Sequence, residues 1–154
     1  MNVVIANRQR TRKINSRQLK KIAGELFLEL KITDAELGIH FVGVKEMAQV
    51  NWDYLRHEGS TDVITFDHRD SRTNPPDAIT KIHGELFICV DDAVKQAKEF
   101  KTHWAAEVVR YVVHGVLHLL GYDDLSPDLK RKMKREENRL VCLLEKKIPL
   151  DCHD

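Results

Sequence analysis

The stretch "WAAEVVRYVVHGVLHLLGYDD", Trp104–Asp124, decides the fold. Its apolar residues run almost unbroken to Leu120, too long for a strand and too short for the roughly 20 residues of a bilayer span. The run predicts a helix over Trp104–Leu120 that is apolar on most sides, and such a helix belongs in a core. Gly121 ends it, because glycine adopts the left-handed conformation that closes a helix. The core helix also carries two histidines, His114 and His118. Residues four apart share one face of a helix, one turn from each other.

Beyond Gly121 the chain turns back, and Asp124 stands six positions after His118. The array H-x-x-x-H-x-x-G-x-x-D has the ligand spacing of the metzincin zinc site, with aspartate third. Two imidazoles and a carboxylate suit one divalent ion. Without an ion, both histidines are neutral boundary residues bonded to carbonyls and Asp124 is a loop acid. Asp123 competes with Asp124, but the six-residue offset favours Asp124. A zinc peptidase places a glutamate general base directly after the first histidine. Here Gly115 stands there, so peptidase chemistry is disfavoured. A mid-helix glycine costs about 1 kcal/mol against alanine, and Gly115 therefore marks a close backbone approach.

Outward from this helix the chain reads as β-α-β-α-β-β-α-α-α. "NVVIAN" (Asn2–Asn7), "ELGIHFVG" (Glu36–Gly43), "TDVITF" (Thr61–Phe66) and "HGELFICV" (His83–Val90) read as strands, the last central because of its apolar run. Helices are expected from a Ser16 cap, with Leu19, Ile22, Ala23, Leu26, Phe27 and Leu30 on one face, and from Lys45 to about Arg56, with Met47, Val50 and Tyr54 in one stripe. Two more run from Asp91 or Asp92 to Phe100, and from the Ser126-Pro127 start to about Glu145. In the last, Leu129, Met133, Leu140 and Leu144 point inward. Residues 67–81, with Asn74-Pro75-Pro76, form a surface loop or hairpin tip. The expected fold is α+β: one domain over 1–154, a mixed four-stranded sheet and about five helices.

The chain has 154 residues, 25 basic and 24 acidic. Net charge is therefore silent about a nucleic-acid partner, and only local clusters speak. One lies at Arg8, Arg10, Arg12 and Lys13; another at Lys130, Arg131, Lys132, Lys134 and Arg135. Either contacts phosphate or is a solvated face. Trp52 and Tyr54 either stack bases or belong to the core margin. Cys89, Cys142 and Cys152 form no C-x-x-C pair, which argues against a cysteine metal site. The basic residues follow the first apolar run, the reverse of a secretory signal, so the cytoplasm is expected and a membrane is not.

These residues resemble a known family. "HGVLHLLGYDD" (His114–Asp124) resembles the YbeY signature H-G-x-L-H-L-x-G-Y-D-H. "NWDYLRHEGSTDVITF" (Asn51–Phe66) is similar to N-x-x-Y-R-x-x-D-x-x-T-[DN]-V-L-S-F. "HGELFICVDDA" (His83–Ala93) is similar to the family's L-G-D-I-x-I strand and following helix, and "MKREENRLV" (Met133–Val141) to its closing M-x-x-x-E helix. The resemblance spans residues 36 to 145 in the family's order. It implies a zinc-dependent endoribonuclease specific for single-stranded RNA, with one Zn2+ per chain. It further implies a role in 3′-end maturation of small-subunit ribosomal RNA and in ribosome quality control, with the small ribosomal subunit as partner.

Two positions depart from the pattern. Asp124 replaces a ligand histidine, and Leu55 replaces an arginine after the tyrosine. Arg56 follows, and it either serves from that adjacent place or the role is absent. Glu85 stands where the family has aspartate, on a strand expected beside the metal helix. It orients a histidine, acts on a water, or is an edge carboxylate paired with a lysine. Arg56 and Glu85 are thus the candidate catalytic residues, and His114, His118 and Asp124 the candidate ligands. Two other readings stay open: a non-catalytic ribosome-associated RNA-binding protein with a structural metal, and a two-histidine-one-carboxylate iron enzyme, whose ligands usually come from strands.

Overall fold

The computed structural model describes residues 1–59, 61–69 and 80–149. It is one α+β domain in the order β1 (Asn2–Asn7), α1 (Ser16–Glu29), β2 (Asp34–Val42), α2 (Val44–Val50), a π-helical turn (Asn51–Leu55), β3 (Val63–Asp67), β4 (Lys81–Cys89), α3 (Val90–Phe100), α4 (Trp104–Leu119) and α5 (Pro127–Lys147). The sheet order is β1-β2-β4-β3. β1, β2 and β4 are parallel, and β3 runs antiparallel to β4. The sheet is therefore mixed and β4 is central, as its apolar run predicts.

Alternation along β2 and β4 divides the sheet into two faces. Ala35, Leu37, Ile39 and Phe41 of β2, with Ile82, Leu86 and Ile88 of β4, join the main core. Helix α4 lies on that face, with Val112, Val113, Val116, Leu117 and Leu119 fully buried. A Cβ on Gly115 would stand 2.5 Å from Leu86 Cδ2, and one on Gly84 would stand 2.5 Å from the Phe66 carbonyl and 2.7 Å from Leu119 Cδ2. The two glycines let helix and sheet approach closely, which accounts for a helix interior accepting Gly115.

Three expectations need correction. The N-cap of α1 is Asn15, whose Oδ1 accepts from the Gln18 amide at 3.0 Å; Ser16 is the first helical residue. The second helix is not continuous to Arg56. Beyond Val50 the backbone widens into the π turn, so Tyr54 leaves the apolar stripe and is 68% exposed. Leu129 lies in the first turn of α5, beyond the edge of the core, and is 42% exposed. The Asn74-Pro75-Pro76 segment and Cys152 lie outside the described residues. Among the described residues, no helix is long and apolar enough to cross a membrane.

Candidate metal centre

His114 and His118 emerge from the last two turns of α4 beside the edge of the core. Their Nε2 atoms converge to 3.0 Å, with the rings 78° apart. Both Nδ1 atoms already have partners. His114 Nδ1 meets Glu137 Oε1 at 2.8 Å, and His118 Nδ1 meets the Tyr122 carbonyl at 3.0 Å. Those partners only accept hydrogen bonds, so each neutral ring carries its proton on Nδ1 and turns an Nε2 lone pair toward the other. Two facing lone pairs repel unless a cation lies between them. Two nitrogens bound tetrahedrally to zinc at about 2.0–2.1 Å would stand roughly 3.3 Å apart, close to the observed separation.

The turn after α4 supplies the rest. Gly121 has φ of 100°, and the Gly121 and Tyr122 amides donate to the His118 and Leu117 carbonyls, each at 3.0 Å. This is a Schellman closure, for which glycine is the residue that tolerates the backbone. It aims the Tyr122 carbonyl at His118 and returns the chain so that Asp124 arrives beside the pair. Ligand atoms of His114, His118 and Asp124 lie within 4.8 Å of one another. These three residues can hold a metal ion, and both the donor set and the orphaned lone pairs fit one. Burial, reinforced by the nearby His114, pushes His118 down from its ordinary pKa and favours the neutral, ligating form.

Sequence reading met the acid that holds this arrangement only as the last residue of the M-x-x-x-E match and gave it no role. Glu137, on α5, is buried beneath His114. Burial alone would raise its carboxyl. His114, Arg110 at 2.6 Å and Lys134 at 3.2 Å outweigh burial and hold it down at about 2. A carboxylate on the far nitrogen of a ligating histidine fixes the tautomer and strengthens the ligand. The available signal was a glutamate four residues after Met133 and three before Leu140, on the buried stripe of α5.

Two hollows flank the histidine pair. One, of about 310 Å³, is lined by Leu55, Val63, Ile64, Thr65 and Asp67 together with both histidines. The other, of about 210 Å³, lies between α3, α4 and α5 and includes Asp124.

The family model for Endoribonuclease YbeY matches residues 4–145. The chain belongs to the YbeY family. An Endoribonuclease YbeY from Chlorobium phaeovibrioides is 32% identical over 104 residues, covering 68% of this chain and 65% of that protein. One from Chlamydia pneumoniae is 32% identical over 150 residues, covering 96% and 93%. A Thermotoga maritima protein solved in solution shares the fold, with a TM-score of 0.67 over 95% of this chain and 91% of its own at 21% identity.

The two candidate catalytic residues have partners of their own outside the His114, His118 and Asp124 cluster. Leu55, at the place of the YbeY arginine, lines the larger hollow. Arg56 closes the π turn with φ of 55° and sets its guanidinium 5.5 Å from the Trp52 ring centre. Glu85 does orient histidines, but not the ligating ones. Strand alternation turns it to the sheet face opposite α4, where His40 Nε2 and His68 Nε2 each meet its carboxylate at 2.8 Å. Those contacts, His68 before His40, lower its carboxyl. Asp62 accepts from the Val63 amide at 2.8 Å, as expected for an acid at a strand start. Of the basic clusters, Arg8 is paired with Glu46 at 2.8 Å, Arg131 with Asp128, and Lys134 with Glu137.

Proposed function

We propose that this protein is a zinc-dependent endoribonuclease that cuts single-stranded RNA, and that it serves 3′-end maturation of small-subunit ribosomal RNA and ribosome quality control in the cytoplasm. Membership of the YbeY family supports the nuclease class. The observation that carries the metal is the convergence of two Nε2 atoms at 3.0 Å with both Nδ1 atoms already tied. His114, His118 and Asp124 would hold the ion, one per chain. When bound, it supplies Lewis acidity toward a phosphoryl oxygen and toward a water.

The chain's own residues do the remaining work. Glu137 and the Tyr122 carbonyl lock both imidazoles in the ligating tautomer. Arg110 and Lys134 keep Glu137 anionic. Arg56, stacked on Trp52 next to Leu55, contacts the phosphates of the bound strand from the rim, a binding part rather than a chemical one. Glu85 takes no part at the ion.

The test joins metal analysis to cleavage. Protein purified without chelator should contain about one equivalent of zinc. It should cut unstructured RNA and spare duplex RNA and peptides, lose activity to chelator and regain it with zinc. Cleavage that survives removal of the metal defeats the proposal. A different metal in full occupancy, iron for instance, defeats the zinc assignment. Leu55 in the cleft, where the YbeY pattern has arginine, favours a second reading: a non-catalytic ribosome-associated RNA-binding protein with a structural metal. Metal and RNA binding without cleavage would select it.

A further inference from the structure

The smaller hollow contains a group that the metal centre does not use. Tyr111, on α4, lines it, is 4% exposed, and has a hydroxyl with no hydrogen-bond partner among the described residues. Few buried polar groups are left so, because the lost hydration is not recovered. Burial first, then the negative charge of Asp62, push the phenol up, so it is a hydrogen-bond donor at neutral pH. Asp62 lines the same cavity and accepts at 2.8 Å from the Val63 amide and at 3.3 Å from the Gln96 side chain. Oδ1 also accepts from the Thr61 hydroxyl at 3.5 Å, whereas the bond from Gln96 leaves Oδ2 a further lone pair. Val63 and the buried Met133 are apolar walls. Lys130 and Lys134, both exposed, stand at the rim.

The chemistry of these walls selects the occupant. A phosphate suits the interior poorly: Asp62, Asp124 and Glu137 are acidic, Tyr111 is a neutral donor, and the Arg110 guanidinium is already bonded to Glu137 at 2.6 Å and to Asn138 at 2.8 Å. A nucleobase does: its flat faces match Val63 and Met133, and its edge offers an acceptor to the Tyr111 hydroxyl and an N–H to Asp62. The cavity, of about 210 Å³, is smaller than the roughly 300 Å³ at which drug-sized pockets begin. It has room for one ring system and not for a stacked pair. His114 and Asp124 also line it, so a base seated there belongs to a strand lying at the metal centre. The rim lysines then face that strand's phosphates.

We propose that this cavity is a nucleobase subsite, which receives one unpaired base of the RNA held at the metal centre and binds it through the Tyr111 hydroxyl. The subsite rests on the ribonuclease reading above and gives it a physical basis for strand selection. A base inside a duplex has its edge occupied by its partner and cannot enter.

The test reads binding separately from cleavage. The protein and its Tyr111→Phe variant are titrated with the four ribonucleoside 3′-monophosphates and with ribose 5-phosphate, following amide shifts by NMR. Phenylalanine keeps the ring and removes only an unpartnered hydroxyl, so the melting temperature should be unchanged or higher. At least one nucleotide should bind about tenfold more tightly than ribose 5-phosphate and shift amides of α4, and Tyr111→Phe should weaken it about fivefold while leaving ribose 5-phosphate unaffected. Nucleotides that bind no better than ribose 5-phosphate, or that bind the variant as well as the parent, overturn the subsite. RNA cleavage by the same preparations separates the two ideas. Tyr111-dependent nucleotide binding without metal-dependent cleavage upholds the base pocket and refutes the nuclease. Cleavage with Tyr111-independent nucleotide binding refutes the pocket alone.

Discussion

Glu137 shows how one side chain can shape a candidate metal site from behind one of its histidines. Its carboxylate receives the His114 Nδ1 proton at 2.8 Å and is itself held by Arg110 and Lys134. Glu137→Gln keeps the shape and an acceptor oxygen but removes the charge that would make His114 a strong donor to a bound ion. Metal affinity should fall about 10- to 100-fold, with helical content retained. Competition against a chelating dye measures this, and an unchanged affinity would mean that Glu137 only anchors Arg110. Glu85, three positions short of Ile88 on β4, offers the contrast. Its partners are His40 and His68 on the opposite face, and distant sites without shared partners behave independently. Glu85→Gln should leave metal affinity within about twofold of the parent. A larger loss would place Glu85 in the centre's electrostatics after all.

At the scale of elements, α4 on the sheet is the construction that matters, and two glycines permit it. Gly115→Ala gains about 1 kcal/mol of helix propensity but pushes a methyl into the fully buried Leu86, a clash with a side chain rather than with backbone. Gly84→Ala gains less and meets the backbone carbonyl of Phe66 at 2.5 Å, which cannot turn. Overpacking of this kind costs roughly 1–3 kcal/mol. Urea denaturation should therefore find Gly84→Ala the more destabilised, by about 2 kcal/mol or more, and Gly115→Ala close to the parent. The reverse order would mean that Leu86 is pinned. The clustering of His114, His118 and Asp124 was legible in the sequence because it is local: a helical pair, a glycine end and an acid on the returning chain all lie within Trp104–Asp124. The strands and α4 were legible for the same reason, through period and punctuation. What sequence could not supply came from tertiary neighbours. Glu137 reaches His114 from another helix. The face on which Glu85 lies depends on strand register. The exposed position of Tyr54 follows from a π turn that begins where Asn51 is buried and bonded to the Gly59 carbonyl at 2.9 Å.

For the whole molecule, the sheet divides the labour between its faces. The face packed by α4 carries the core and, at its edge, the ligand cluster with its two hollows. The opposite face carries His40, His68, His83 and Glu85 around a further hollow of about 390 Å³. The ligand set belongs to the folded state, so an ion that binds there must stabilise the fold by mass action. At free metal about 100 times the dissociation constant the gain is roughly 2.7 kcal/mol, readable as a higher melting temperature. Asp124→Ala should remove most of that metal-dependent gain while leaving the metal-free melting temperature nearly unchanged, since Asp124 is exposed.

The closed turn at Gly121 also bears on the order of events as the chain folds. All three candidate ligands lie on one helix end and its returning turn, whereas pairing of Gly38 with Glu85 must join distant strands. Closing a loop of about ten residues takes some 10–100 ns, far less than assembling a long-range sheet. The binding loop can therefore form early, ahead of the barrier, and an ion captured then would lower the barrier itself. Stopped-flow refolding with and without zinc should show a faster folding limb, not merely slower unfolding. Zinc acting on the unfolding limb alone would put closure of the turn after the rate-limiting step.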